Sequence, residues 1–199
     1  MLLKRVTTAL VLLLVLGLSM TLAAPWGFPV LALLFVAVGV LEWMRLLAVP
    51  RLPALVLAVA VGCAIAWLFR ISLESAHLPG IVEALLMVSA LLWIALLAVL
   101  LARRRFPEVK PWRFAYLVLG LLFLGACGLS LLFAYRTGLV YLVSILALVW
   151  IADIAAYFCG RAFGRHKLAP VISPGKTIEG ALGGIAFVVV LATVSTQMP

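Results

Sequence analysis

Asp153 is the only aspartate of the chain, and it stands at the foot of a long apolar run. Directly after that run come Arg161, Arg165, His166 and Lys167, then Ser173-Pro174-Gly175-Lys176-Thr177-Ile178-Glu179-Gly180. An ionised carboxylate at mid-membrane costs about 2.5–3.5 kcal/mol on insertion scales, and less near the interface, so it needs a cation, water or hydrogen bonds. Asp153, Tyr157, Gly160 and Gly164 recur at spacings of four, three and four, which places them on one helical face if the helix runs that far. With a rise of ~1.5 Å per residue, Asp153 falls roughly 9 Å inside the end of a span that closes near Cys159.

The basic segment is suited to phosphate. Lysines and arginines beside the Ser173 and Thr177 hydroxyls, with backbone amides freed by Gly175, offer charge-assisted donors to a phosphate-rich ligand. Basic loops also orient membrane proteins, and for Arg161 and Arg165 the two readings are evenly matched. His166 reads as a solvated histidine without a catalytic role. Ser173 to Thr177 is not a P-loop: the Walker pattern needs glycine five positions before Gly175, where Pro170 stands, and no strand signal precedes it. Glu179 is either a first-turn acid balancing a helix dipole or a metal ligand, the former favoured. Asp153 is either a functional carboxylate or a helix–helix hydrogen-bonding group, the former favoured. The spacings Gly160/Gly164 and Gly180/Gly184 fit close helix packing, so Asp153 is expected to point into a helix junction.

The elements that must carry these residues follow from composition. Of 199 residues 68% are hydrophobic and 11% charged, more apolar side chain than one soluble core can bury. The fold class is therefore all-α and polytopic, a single membrane domain over 1–199. Apolar runs predict about seven transmembrane helices at 6–24, 28–49, 54–69, 81–101, 114–134, 139–159 and 181–197, with a cytoplasmic functional loop at 160–180. The third is short and could be tilted little, re-entrant or matched by local bilayer thinning. Pro25, Pro29, Pro50, Pro53, Pro79, Pro107 and Pro111 read as breakers between runs. A cytoplasmic N-terminus puts thirteen cations inside, against only Arg70 and Arg136 outside. Among the thirteen, Arg103, Arg104, Arg105, Lys110 and Arg113 form an anionic-lipid patch.

The net charge of +9 is explained by this orientation signal, and no nucleic-acid partner is expected. Lys4-Arg5 followed by an apolar run could pass for a secretory signal, but the run from Val6 to Ala24 is long, Leu22 occupies a small-residue position, and Pro25 would follow the cut. Cleavage is not expected. Cys63, Cys127 and Cys159 show no ligand spacing and read as packing residues. The six tryptophans mostly flank or enter spans and fit interfacial anchoring.

The run Trp150-Ile-Ala-Asp153-Ile-Ala-Ala-Tyr157-Phe-Cys-Gly160-Arg-Ala-Phe-Gly164-Arg-His-Lys167-Leu-Ala-Pro170-Val-Ile-Ser173-Pro-Gly-Lys176-Thr-Ile-Glu179-Gly180 resembles the phosphatidate cytidylyltransferases, or CDP-diacylglycerol synthases. A weaker echo lies at Lys4-Arg5 and at Glu42-Trp43-Met44-Arg45-Leu46. The resemblance implies an inner-membrane nucleotidyltransferase of phospholipid biosynthesis, in which the phosphate of phosphatidic acid attacks the α-phosphate of CTP. The products are CDP-diacylglycerol and pyrophosphate, with Mg²⁺ as cofactor. It implies Lys167, Ser173, Lys176 and Thr177 as substrate-binding residues, Asp153 as catalytic, and Asp153 with Glu179 as metal ligands. CTP, phosphatidic acid and membrane lipid are the expected partners, with a homo-oligomer left open. The family's C-terminal His-Gly-Gly pattern does not occur before Pro199, so the chain is expected to be a front portion with little activity alone. The competing classes are a transporter or ion-binding protein using Asp153, and a non-catalytic membrane scaffold.

Overall fold

The computed structural model describes residues 2–21, 25–73, 80–103 and 108–197. Among these the chain forms α1 (Leu2–Thr21), α2 (Gly27–Leu46), α3 (Arg51–Leu73), α4 (Gly80–Arg103), α5 (Val109–Thr137) and α6 (Leu139–Phe163), then strands β1 (Lys167–Ala169) and β2 (Ser173–Thr177), then α7 (Ile178–Gln197). Leu22, Ala23 and Ala24 at the rejected cleavage point, with Pro79, Arg104, Arg105, Pro107 and Pro199, lie outside the described residues.

Helix dominates because apolar residues fill long runs of the chain, and in hydrocarbon each backbone amide must find its partner within its own segment. Among the described residues five helices, α2 to α6, are long and apolar enough to cross a membrane; α1 and α7 carry shorter apolar stretches, Leu10–Thr21 and Ile178–Thr193. The protein is thus an all-α, multi-pass membrane protein, with one small hairpin added in the polar segment.

Several helices are longer than their apolar runs. The third is 23 residues, not the short run at 54–69, and reaches ~35 Å, enough for a ~30 Å hydrocarbon core without re-entry. At the starts of α3 and α5 the cause lies in the prolines. Pro29, Pro53 and Pro111 are not breakers between helices: each is the third residue of its helix, where a missing N–H leaves no intrahelical bond unmade.

The chain divides into two compact units, Met1–Ala90 with Val109–Leu139, and Leu91–Glu108 with Val140–Pro199. In the first, α2 packs on α3 and α5 around Val40, Met44, Ile65, Leu129 and Leu132, all but removed from the surface. Helix α2 ends in a Schellman turn: Val49 N–H donates to Met44 O (2.9 Å) and Ala48 N–H to Arg45 O (3.0 Å), with Ala48 left-handed at φ 52°. Arg113 donates to Ala48 O at 2.8 Å and secures that turn.

Trp43 is more than an interfacial anchor. Its indole N–H donates to Tyr116 O at 3.0 Å, and the ring lies against Gly120, where a Cβ would stand 1.9 Å from Nε1. Gly120→Ala is therefore expected to destabilise the protein by about 1–3 kcal/mol, since the ring must leave its site. Gly125→Ala, with nothing within 4 Å of the added carbon, is the control and should leave thermal unfolding in detergent unshifted or slightly raised.

Candidate functional site

The second unit holds every residue of the polar segment. Its frame is the close approach of α6 and α7, which small residues permit. A Cβ on Gly180 would sit 2.8 Å from Ala156 O and 3.2 Å from Gly160 Cα, and one on Gly184 would sit 2.9 Å from Ala152 O. Backbone meets backbone there. The pattern at 160/164 and 180/184 is used unevenly, because α6 ends at Phe163 and Gly164 closes it, its N–H donating to Gly160 O at 3.1 Å.

Between these helices the basic segment is a β-hairpin rather than an irregular loop. Lys167 pairs with Thr177 and Ala169 with Ser173, so Leu168 alone faces Pro174, Gly175 and Lys176. That bulge follows from Pro174, which has no N–H for a regular ladder. A turn through Pro170, Val171 and Ile172 is closed by Ile172 N–H to Ala169 O at 3.1 Å. Lys167 Nζ donates to Pro174 O at 2.8 Å and braces the bulge from the opposite strand.

Thr177 ends the hairpin and starts α7. Its Oγ1 accepts from Gly180 N–H at 3.1 Å, a helix N-cap, and the side chain is buried. Glu179 lies in the first turn of α7, and its carboxylate takes the His166 backbone N–H (3.2 Å to each oxygen) and His166 Nδ1 (2.7 Å). His166, expected to be solvated, is this carboxylate's partner. The hydrogen bond from the His166 ring, helped by backbone amides including Glu179's own, holds the Glu179 carboxyl well below its ordinary range, at about 2.

A carboxyl whose folded value is depressed contributes stability that is present above its unfolded value and lost as pH falls through the folded one. The junction of hairpin and α7 should therefore loosen between about pH 4.5 and pH 2. Hydrogen exchange at the His166 amide, corrected for intrinsic rate, should rise across that window. In Glu179→Gln that rise should be absent, with exchange elevated at every pH.

A cavity of about 710 Å³ opens where α6, the hairpin and the start of α7 meet, and its polar lining comprises Asp153, Tyr157, Arg161, Ser173, Lys176 and Thr177. Lys176 Nζ lies 3.5 Å from Asp153 Oδ1. The sequence places Asp153 in a helix junction; in the structure its side chain is 80% exposed and leans over the cavity toward the lysine, while Ala152, Ala156 and Gly160 make the junction. Both partners are largely exposed, so the pair contributes little to stability. Arg161 Nη1 donates to the Tyr157 hydroxyl at 3.2 Å, an i,i+4 contact along α6.

Four of the six site residues expected from sequence thus share one cleft: Asp153, Ser173, Lys176 and Thr177. Lys167 and Glu179 do not line it; one braces the bulge and the other holds His166. Tyr157 and Arg161 do line it. Sequence reasoning set Tyr157 on the Asp153 face but gave it no role, although its spacing of four from Arg161 was visible.

Asp153 and Glu179, the expected metal ligands, have different partners: Lys176 lies beside the first and His166 holds the second. Among the described residues no group of three His, Cys, Asp or Glu could hold a metal.

Fold and site together define a multi-pass helical membrane protein with a cationic cleft built on two crossing helices and a hairpin. The chain belongs to the cytidylyltransferase family, whose model matches residues 3–198. It is 34% identical over 177 residues to a phosphatidate cytidylyltransferase of Bacillus subtilis, covering 76% of this chain and 65% of the relative. A phosphatidate cytidylyltransferase of Pseudomonas aeruginosa is 44% identical over 115 residues, 55% of this chain and 41% of that protein. One of Haemophilus influenzae is 56% identical over 55 residues, 28% and 19% of the two. The chain spans less than two thirds of the length of these relatives. No solved structure matches it.

Proposed function

We propose that this chain supplies a substrate-binding part of a phosphatidate cytidylyltransferase, which joins CTP and phosphatidic acid to give CDP-diacylglycerol and pyrophosphate. The observation that carries this reading is the convergence of Lys176, Arg161 and the Ser173 hydroxyl on one cleft at the end of an apolar helix. A phosphate group entering there meets an ammonium, a guanidinium and neutral donors, the set that binds phosphate most strongly. Asp153 holds Lys176 over the cleft and serves as the catalytic carboxylate of the reading. Thr177, with its oxygen engaged by the helix cap, still has its hydroxyl proton to offer a phosphate. Lys167 acts on the ligand through the bulge it braces.

Attack of one phosphate on another brings like charges together, so positioning and neutralisation carry most of the catalysis. The cleft's two cations serve both ends. Mg²⁺, implied by the family resemblance, would need ligands beyond Asp153. We therefore expect little turnover by the 199-residue chain alone, and measurable CDP-diacylglycerol formation by the purified chain would overturn that expectation.

The thirteen-to-two distribution of cations supports a cytoplasmic hairpin and an inner-membrane location, where a lipid and a nucleotide can meet. Retention of lipid by the chain in phosphatidylcholine nanodiscs tests the reading. Phosphatidate should be retained over diacylglycerol with the same acyl chains, which lacks only the phosphate. Equal retention of the two would contradict phosphate recognition.

A further inference from the structure

The hairpin that carries Lys176 is short, three residues in β1 and five in β2, and its register rests on two pairs, Lys167 with Thr177 and Ala169 with Ser173. Two strands of that length have little stability of their own. Their open end, where the chain leaves α6 and enters α7, is closed by groups just outside the ladder. Ile178 N–H donates to His166 O at 2.9 Å, the His166 N–H donates to both Glu179 oxygens at 3.2 Å, and His166 Nδ1 lies 2.7 Å from Glu179 Oε1. An ionised carboxylate only accepts, so Nδ1 carries the proton of the last bond. The same end is seated on α6. A Cβ on Gly160 would stand 2.9 Å from Thr177 Oγ1 and one on Gly164 2.9 Å from Thr177 Cγ2, so these glycines form a saddle for that buried side chain.

We infer that His166 is a positioning residue of the cleft: bound to Glu179, it clamps the open end of the hairpin and so fixes where the Lys176 ammonium meets a phosphate, an inference that rests on the phosphate-binding role proposed above. Neither His166 nor Glu179 lines the cleft. Their pair stands instead beside the backbone from which Lys176, one residue before Thr177, reaches to 3.5 Å from Asp153 Oδ1. The saddle holds one residue of β2, whereas the clamp ties both strands, because His166 precedes β1 and Glu179 follows β2. A ligand then meets a lysine whose strand is already ordered, and less of the binding free energy goes into ordering it.

Phosphatidate retention by the 199-residue chain in phosphatidylcholine nanodiscs, with EDTA present and diacylglycerol as the reference lipid, tests the clamp. His166→Ala should weaken retention about two- to tenfold, the worth of one net hydrogen bond, and His166→Asn, whose side-chain amide can donate in the same place, should recover most of it. Glu179→Ala, which removes the acceptor of both bonds, should cost more, and His166→Ala should add nothing further in that background. The unfolding temperature of His166→Ala in detergent should hold while exchange at the Ile178 amide rises, because the ring is 75% exposed and the hairpin opens locally, short of global unfolding. Unchanged retention in His166→Ala despite that faster exchange, additive losses in the double variant, or a loss seen only when Mg²⁺ replaces EDTA would overturn the clamp and leave the phosphate reading standing. Equal retention of phosphatidate and diacylglycerol by the unaltered chain would overturn both.

Discussion

Lys176→Ala is expected to weaken phosphatidate binding by about ten- to a hundredfold, the loss of a charge-assisted hydrogen bond of about 1.5–3 kcal/mol. The fold should be nearly indifferent, because the Lys176–Asp153 pair is exposed on both sides and nothing buried is left unpaired. Lys167→Ala is the informative comparison. Lys167 carries the same charge on the same hairpin, yet its ammonium donates to Pro174 O and does not line the cleft. It should cost several-fold less in affinity while raising hydrogen exchange at the bulge. Equilibrium binding to nanodiscs at fixed ionic strength separates the two. Equal losses would mean that the lipid senses only the overall positive charge of the hairpin, and the cleft would have no special role.

Gly180→Ala is expected to do damage of a different kind. The added carbon would stand 2.8 Å from Ala156 O, 3.0 Å from Thr177 Oγ1 and 3.2 Å from Gly160 Cα. Two of those three neighbours are backbone, which cannot rotate away as the end of a long side chain can. The helices must separate, at a cost of about 1–3 kcal/mol and with the cleft deformed, because Thr177 and Gly180 both line it. Thermal unfolding in detergent and phosphatidate affinity should fall together. Gly175→Ala, also in the cleft lining but with nothing within 4 Å of the new carbon, should leave the unfolding temperature unchanged. An unshifted unfolding temperature in Gly180→Ala would show that α6 and α7 do not meet at these glycines.

Much of this was legible in the residue order, and what was not has specific causes. Unbroken apolar runs announce membrane helices because bilayer thickness and backbone hydrogen bonding leave one solution. The starts of two of those helices were hidden by Pro53 and Pro111, since a proline reads identically whether it stands before a helix or in its first turn. The clustering of Asp153, Ser173, Lys176 and Thr177 was readable from charge next to an apolar run.

The division of labour among those polar residues was not. Whether a lysine faces a cleft or braces a strand depends on hairpin register, and a bulge around Pro174 moves Lys167 and Lys176 to different tasks. A hairpin whose second strand reads Ser-Pro-Gly-Lys-Thr carries no strand periodicity at all. Glu179 shows the same limit: its dipole role was visible from its place before an apolar helix, while its partner His166, thirteen residues earlier, became visible only when the hairpin folded back.

Covalent capture of the lipid would decide whether Asp153 and Lys176 frame a site for a phosphorylated headgroup. A phosphatidate analogue carrying a photoreactive diazirine next to its phosphate, activated in nanodiscs with the 199-residue chain, should leave adducts on peptides spanning residues 153–181. Excess unlabelled phosphatidate should suppress them, and Lys176→Ala should lose most of them. Adducts confined to other helices, or an adduct pattern unchanged by Lys176→Ala, would contradict the assignment.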